Sequence, residues 1–259
     1  MCLIVFALDG DGLTLVANRD EFRARDAAPA APWPQAPHVV AGRDLRAGGT
    51  WLGATADGRW AALTNVRAQD VADTRTDAVS RGRLVADFLT GSGSPQSVAE
   101  QAFADRDLYR GFNLLVGHGA DAWLASTRLG APQRLGHGVY GLSNDTLDTP
   151  WPKLVRARDA FAARRADGAA DAALMDVLRD TTMPPDADLP ETGVGLAKER
   201  FLATAFIDGP DYGTRVTTVL RIADGAVSLR ERTWAPGGII EGEVLWHSDG
   251  ARWAGGALG

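Results

Sequence analysis

The stretch Cys2-Leu3-Ile4-Val5-Phe6-Ala7-Leu8-Asp9-Gly10-Asp11-Gly12-Leu13-Thr14-Leu15-Val16-Ala17-Asn18-Arg19-Asp20-Glu21 decides the reading of this chain. An apolar run reaches Asp9-Gly10-Asp11-Gly12, where the turn chemistry is strong, and a second apolar run returns from it. This is a β-hairpin, and its polar end, Asn18 to Glu21, comes back beside the start of the chain. If the two-residue loop is Gly10-Asp11, Cys2 lies opposite Arg19. If it is Asp11-Gly12, Cys2 lies opposite Glu21. Directly opposed residues share a face, so both registers put Arg19 and Glu21 on the side of the Cys2 thiol.

Position 2 gives that thiol a further meaning. Cysteine is small enough for methionine aminopeptidase to remove Met1. The chain would then begin with an α-amine and a thiol on one residue, with unperturbed pKa values of roughly 7.7–8.0 and 8.5. Such an amine can act as the base for its own thiol, as it does in N-terminal nucleophiles. A neighbouring guanidinium such as Arg19 is expected to lower the thiol pKa, and a carboxylate such as Glu21 can hold the ammonium. The plain alternative is that Cys2 is a small buried hydrophobe and that 18–21 is a solvated strand end.

Further along, strands are expected over 48–52 and 60–66, then helices over 80–90 and 97–104. Ser97 with Glu100 reads as a capping box. Strands follow at 112–117, 122–126 and 138–143, then helices at 151–166 and 171–181, and strands at 203–207, 215–222 and 226–232. The Pro- and Ala-rich 27–37 reads as a surface loop, 183–192 as a long loop, and the Gly-rich 235–259 has no clear reading. Parallel βαβ alternation is missing, which favours an α+β layout of stacked antiparallel sheets with helices outside. No internal repeat or boundary divides the chain, so 1–259 reads as one domain.

Composition sets the outer limits. The 259 residues carry a formal net charge of −6 and are 45% hydrophobic, which fits a globular protein and argues against a uniform basic face for nucleic acid. Residues 1–8 have no basic n-region, no apolar run approaches a membrane span, and the single cysteine forms no internal disulfide. A cytoplasmic location is expected. The four histidines, His38, His118, His137 and His247, show no zinc spacing.

These motifs together resemble a known family. Met1-Cys2 followed by Asn18-Arg19-Asp20-Glu21 is the signature of the NRDE family, also called the Transport and Golgi Organisation family. Further matches are Gly48-Gly49-Thr50-Trp51-Leu52-Gly53, Ala62-Leu63-Thr64-Asn65-Val66-Arg67 and Gly111-Phe112-Asn113-Leu114-Leu115. Later come Gly141-Leu142-Ser143-Asn144, Pro150-Trp151-Pro152-Lys153 and Tyr212-Gly213-Thr214-Arg215. More distantly the chain is similar to the cholylglycine hydrolase and penicillin V acylase group of N-terminal-nucleophile hydrolases. That resemblance implies an αββα sandwich of two antiparallel sheets with helices outside. It implies Cys2 as the nucleophile and Glu21 as its acidic partner. It also implies Asn65 and Asn144 as the orienting and oxyanion-holding amides, and Arg215, or less well Arg200, as a late pocket arginine. Where that group has an arginine just after the returning strand, this chain has Asn18, with Arg19 one position later.

Two functions follow as expectations. The first is an N-terminal cysteine amidohydrolase or acyltransferase acting on a small acylated amide, with no cofactor required. The second is a carrier or chaperone that uses the same pocket for haem, an acyl-CoA or a lipid, as the family resemblance implies. Cys2 is the one thiolate available to iron, with His118 and His137 as other candidate ligands. Oligomeric state is not legible in the sequence.

Overall fold

The computed structural model describes residues 2–10, 12–67 and 77–258. Met1 and Asp11, which the hairpin reading used, therefore lie outside the described residues. The chain starts with the expected hairpin of β1 (Cys2–Asp9) and β2 (Gly12–Phe22), then runs through β3 (Ala27–Trp33), β4 (Ala36–Asp44), β5 (Leu52–Thr55) and β6 (Arg59–Asn65). Helices α1 (Gly82–Thr90) and α2 (Pro95–Ala104) follow, then β7 (Phe112–His118), β8 (Asp121–Ser126), β9 (Gln133–Leu135) and β10 (Gly138–Leu142). Next come α3 (Pro152–Ala166), α4 (Asp171–Val177) and α5 (Leu196–Phe201). The long strands β11 (Tyr212–Ala223), β12 (Ala226–Ala235), β13 (Ile239–Ser248) and β14 (Trp253–Ala257) close the chain.

Among the described residues the strands form two seven-stranded sheets. One has the order β10-β1-β2-β11-β12-β13-β14 and the other runs β3 to β9 in sequence. Every pairing in both is antiparallel.

Side-chain parity divides the molecule into four layers. Even-numbered Ile4, Phe6 and Leu8 with Leu13, Leu15 and Ala17 meet Val40, Leu52, Ala54, Trp60 and Leu115 of the other sheet. Their odd-numbered neighbours Leu3, Val5 and Ala7, with Val16, meet Leu154, Phe161 and Leu174 of α3 and α4. The far face of the second sheet packs Ala61, Leu63, Leu114 and Val116 on Leu84, Val85 and Phe88 of α1 and on Ala99 of α2. The protein is thus an α+β sandwich in αββα order, as expected. Burial on both faces explains why 3–8 reads as a continuous apolar run rather than an alternating one. Among the described residues no helix is long and apolar enough to cross a membrane.

Several local expectations are corrected. The segment 27–37 is not a loop: Pro29 and Pro32 lie in β3, an edge strand. An edge strand leaves outward N–H groups unused, so proline is tolerated there, and two register shifts absorb the irregularity. Helix α2 begins earlier than the capping box implied. Ser94 caps it, its Oγ accepting from the Ser97 N–H at 3.1 Å, with Pro95 in the first turn. Residues 203–207 are not a strand, because Ala205 and Phe206 both donate their N–H groups to the Asp180 carbonyl instead of a ladder. Residues 18–21 do not end β2 but continue it to Phe22.

Candidate active site

The hairpin register is the first of the two considered, with Cys2 opposite Arg19. β1 is an interior strand between β10 and β2, so Cys2 stands at the head of a strand held on both sides. Cys2 has the parity of Ile4 and Phe6, and Arg19 and Glu21 have the parity of Leu15 and Ala17. All three therefore point into the space between the sheets. There they line a cavity of about 280 Å³ together with Asp20, Trp51 and Asn65. Arg25, Asp44, Ser80, Arg81 and Arg110 complete much of its wall.

Arg19 is 5% exposed. Its guanidinium carbon lies 4.3 Å from the centre of the Trp51 ring, a cation–π contact. Its Nη2 is 3.9 Å from Glu21 Oε2, which is attraction without a hydrogen bond. The Trp51 ring is held close by Gly42. A Cβ at position 42 would sit 2.4 Å from Trp51 Cζ2 and Cη2, so the glycine is required by close approach. Glu21 is placed by the Phe22 N–H on its Oε1 at 2.9 Å and by Arg25 at 3.8 Å, and Arg25 is itself bonded to Asp44 at 2.8 Å.

The Cys2 thiol departs from expectation. Its burial pushes the pKa up, and the Asp20 carboxylate adds to the rise. The charge of the amino terminus, then Arg19 and a hydrogen bond from the Asp20 backbone, pull it down without reversing the direction. A shift in this direction favours the protonated thiol, so attack by it calls for a base.

Asn65 ends β6 and contributes to the cavity wall. Asn144 lies beneath it rather than beside the ligand space. It is fully buried, its Nδ2 donates to the Asn65 carbonyl at 2.8 Å, and its Oδ1 accepts from Ser143 Oγ at 3.3 Å. The Cys2 carbonyl, 3.4 Å from Ser143 Oγ, is the other acceptor within reach of that one hydroxyl proton. Asn144 thus ties the end of β6 to the strand that carries Cys2.

Arg215 does not reach the cavity. It falls in the bulge of β11 between Thr214 and Val216, and its Nη1 donates to the carbonyls of Phe22 and Arg23. Arg200 is half exposed and bonded to Asp186. Neither is a pocket arginine. His118 bonds the Asp57 carbonyl and His137 lines a different depression, so the Cys2 cavity has no histidine among its described lining. Among the described residues no group of three metal-ligating side chains is assembled.

Asn18 has the opposite parity to Arg19 and faces the helices. Its Nδ2 donates to the carbonyls of Leu178 and Ala205, and its Oδ1 accepts from Thr217 Oγ1 at 2.6 Å. It is a clamp between β2 and the loops, which explains an amide at this position. Asp20 faces the same way and belongs to a buried polar cluster that the sequence reading missed. Its Oδ1 accepts from Thr214 Oγ1 at 2.7 Å, and its carbonyl accepts from the Tyr212 hydroxyl at 2.9 Å. Lys153, bonded to the Leu202 carbonyl, is lowered to about 8 by burial, with Asp20 opposing the fall. Arg67 and Glu199 form a buried ion pair alongside, with Arg67 over the Trp151 ring at 4.8 Å. The signal was present, since Arg67, Lys153, Tyr212 and Thr214 all sit in the quoted motifs.

Fold and site together define an antiparallel αββα protein with a cysteine at the head of an interior strand, facing a charged cavity. The sequence profile of the family described as Transport and Golgi organisation 2 matches residues 1–236. The chain is 34% identical over 259 residues to the Transport and Golgi organization protein 2 homolog of Bos taurus, covering 90% of this chain and 93% of that protein. It is 32% identical to the Homo sapiens homolog with the same coverage. With the Drosophila melanogaster protein it is 31% identical over 255 residues, covering 86% of this chain and 88% of that protein. The chain belongs to the Transport and Golgi organisation 2 family. Among solved structures it is similar to the Caenorhabditis elegans N-acylethanolamine-hydrolyzing acid amidase ortholog. The TM-score is 0.47 and the identity 11%, over 84% of this chain and 92% of that one.

Proposed function

We propose that this protein is an N-terminal cysteine amidohydrolase or acyltransferase acting on a small acylated amide. The observation that carries the reading is Cys2 at the head of an interior strand, in a cavity, with Arg19 directly across from it. With Met1 removed, the α-amine of Cys2 takes the thiol proton, and the thiolate attacks the amide carbonyl. The Asn65 side-chain amide is the donor for the developing oxyanion, a role worth about 3–4 kcal/mol of barrier where the geometry is met. The C–N bond breaks, the leaving amine takes the proton held by the ammonium, and an acyl thioester remains on Cys2. Water then hydrolyses it, or a second amine accepts the acyl group. Glu21 and the buried Asp20 supply negative charge beside the ammonium. Asn144 acts through Asn65 as a positioning residue. No cofactor enters this scheme.

A second reading is a carrier for haem, acyl-CoA or lipid, favoured by a cavity whose Arg19 and Arg25 suit an anionic ligand, with burial holding the Cys2 thiol toward its protonated form. In it Cys2 is a pocket residue rather than a nucleophile. Both readings take 1–259 as one domain acting in the cytoplasm on a small molecule. Cys2→Ala tests between them. The hydrolase loses all turnover of acyl amides while keeping its fold, and the carrier keeps its ligand with unchanged affinity.

A further inference from the structure

Arg19 carries five N–H donors into a site where it is 5% exposed, yet none of the hydrogen bonds among the described residues uses its guanidinium. Its Nη1 is wholly buried without a partner. The carboxylate nearest it, Glu21, stays 3.9 Å away and spends one oxygen on the Phe22 N–H. A buried charged donor left in this state is rare, because buried polar groups almost always find partners. Trp51, stacked on the guanidinium, also has a buried Nε1 with no acceptor. Two donor-only groups that lack acceptors therefore belong to the lining of one cavity, the one that holds Cys2.

The carboxylates of the described lining that act on Arg19, Glu21 and Asp44, are both also engaged by Arg25. One further carboxylate, Glu231, interacts with Arg19 from the core, and burial raises it to about 7, so it neutralises Arg19 only in part. The volume of about 280 Å³ suits a small ligand.

We propose that Arg19, with Trp51, is the seat of an anionic oxygen group on the substrate, a carboxylate or phosphate within a few bonds of the scissile amide. The amide half of this statement rests on the hydrolase reading above, and the anion half does not. A guanidinium matches the planar fork of a carboxylate and the oxygens of a phosphate. Its place across the strand pair from Cys2 puts the charge next to the reacting carbonyl. In the reaction the Cys2 thiolate adds to the carbonyl and the C–N bond breaks. The leaving amine takes the proton first lost by the thiol and carries the anion away. Water then splits the thioester and returns a proton to the sulfur.

The test uses the full chain and three probes, N-butanoylglycine, N-butanoyl-phosphoethanolamine and the neutral N-butanoylglycinamide. Each is titrated as a protectant of Cys2 against alkylation by iodoacetamide, and its hydrolysis is followed in parallel. At least one anionic probe is expected to protect about tenfold more tightly than the neutral amide, the range of a charge-assisted hydrogen bond. Which of the two does so names the anion. That preference should fall to near unity in Arg19→Gln. In Trp51→Phe, which keeps an aromatic face and deletes the Nε1 donor, it should shrink, and this variant decides if Arg19→Gln does not fold. Equal protection by all three probes, protection by none, or a preference that survives both variants overturns the proposal. Anion-selective protection without hydrolysis would leave the seat in place and sink the hydrolase reading. Hydrolysis without anion preference would do the reverse.

Discussion

Glu231→Gln should make the protein more stable at pH 8 and leave it nearly unchanged at pH 5. Glu231 is 2% exposed between the sheets, where its Oε1 accepts from the Ala30 N–H at 2.7 Å and its Oε2 from Thr218 Oγ1 at 3.2 Å. Burial raises its pKa from 4.5 to about 7, against the pull of those two bonds and of Arg19. A carboxyl raised in the folded state contributes stability that is intact below its unfolded value and lost as pH rises through the folded one. The wild type therefore weakens between about pH 4.5 and 7 and is level above. With each pKa unit worth 1.36 kcal/mol, the loss from this one group between pH 5 and pH 8 is roughly 2–3 kcal/mol. Glutamine has the same shape and does not titrate. It keeps the Ala30 bond through its oxygen and donates to Thr218 Oγ1 once that hydroxyl turns. Other buried groups such as Lys153 and Asp20 titrate in both proteins and largely cancel in the difference. Urea unfolding of both proteins at pH 5 and pH 8 gives the result directly. A difference between mutant and wild type that is the same at both pH values would refute the reasoning, as would destabilisation by glutamine at pH 8.

Gly42→Ala should cost about 1–3 kcal/mol, because its Cβ would enter the Trp51 ring. The same substitution should change the alkylation rate of Cys2 by shifting Arg19, and an unchanged rate would separate Trp51 from the site. Glu199→Leu should cost about 3–5 kcal/mol by taking the carboxylate from buried Arg67 and from the Thr192 N–H and hydroxyl, with part of the loss recovered in Arg67→Met/Glu199→Leu; equal single and double mutants would deny the pairing. Asn144→Ala should cost about 1–3 kcal/mol for its two lost bonds and lower turnover through Asn65, so a drop in KM alone would contradict its role. With the Cys2 thiol raised by burial, its alkylation rate should still be climbing past the ordinary cysteine range, and a plateau near pH 7 would contradict that direction.

Much of this was legible in the first twenty-one residues. The turn chemistry fixed the hairpin, and period-two parity then put Arg19 and Glu21 on the face of Cys2 whichever turn formed. The same parity carried Asn18 and Asp20 to the other face. The Lys153, Glu199 and Arg67 cluster escaped because it is assembled from three distant segments, and sequence spacing carries no information about contacts of that range. The prolines of 27–37 read as a loop because whether a strand lies at an edge is a property of the sheet. Arg215 was misplaced for a similar reason. A one-residue bulge in β11 sends its side chain to the Phe22 and Arg23 carbonyls, and nothing in Tyr212-Gly213-Thr214-Arg215 announces a bulge.

The central claim is that Cys2 forms a covalent acyl bond in this cavity. The direct measurement is intact-mass spectrometry of the protein lacking Met1, quenched in acid within seconds of mixing with a panel of acylated amides. The account predicts a mass increase equal to the acyl group, mapped to Cys2, absent from Cys2→Ala and decaying as product appears. A folded, Met1-free protein that gains no mass with any of the panel, and turns none of it over, would contradict it.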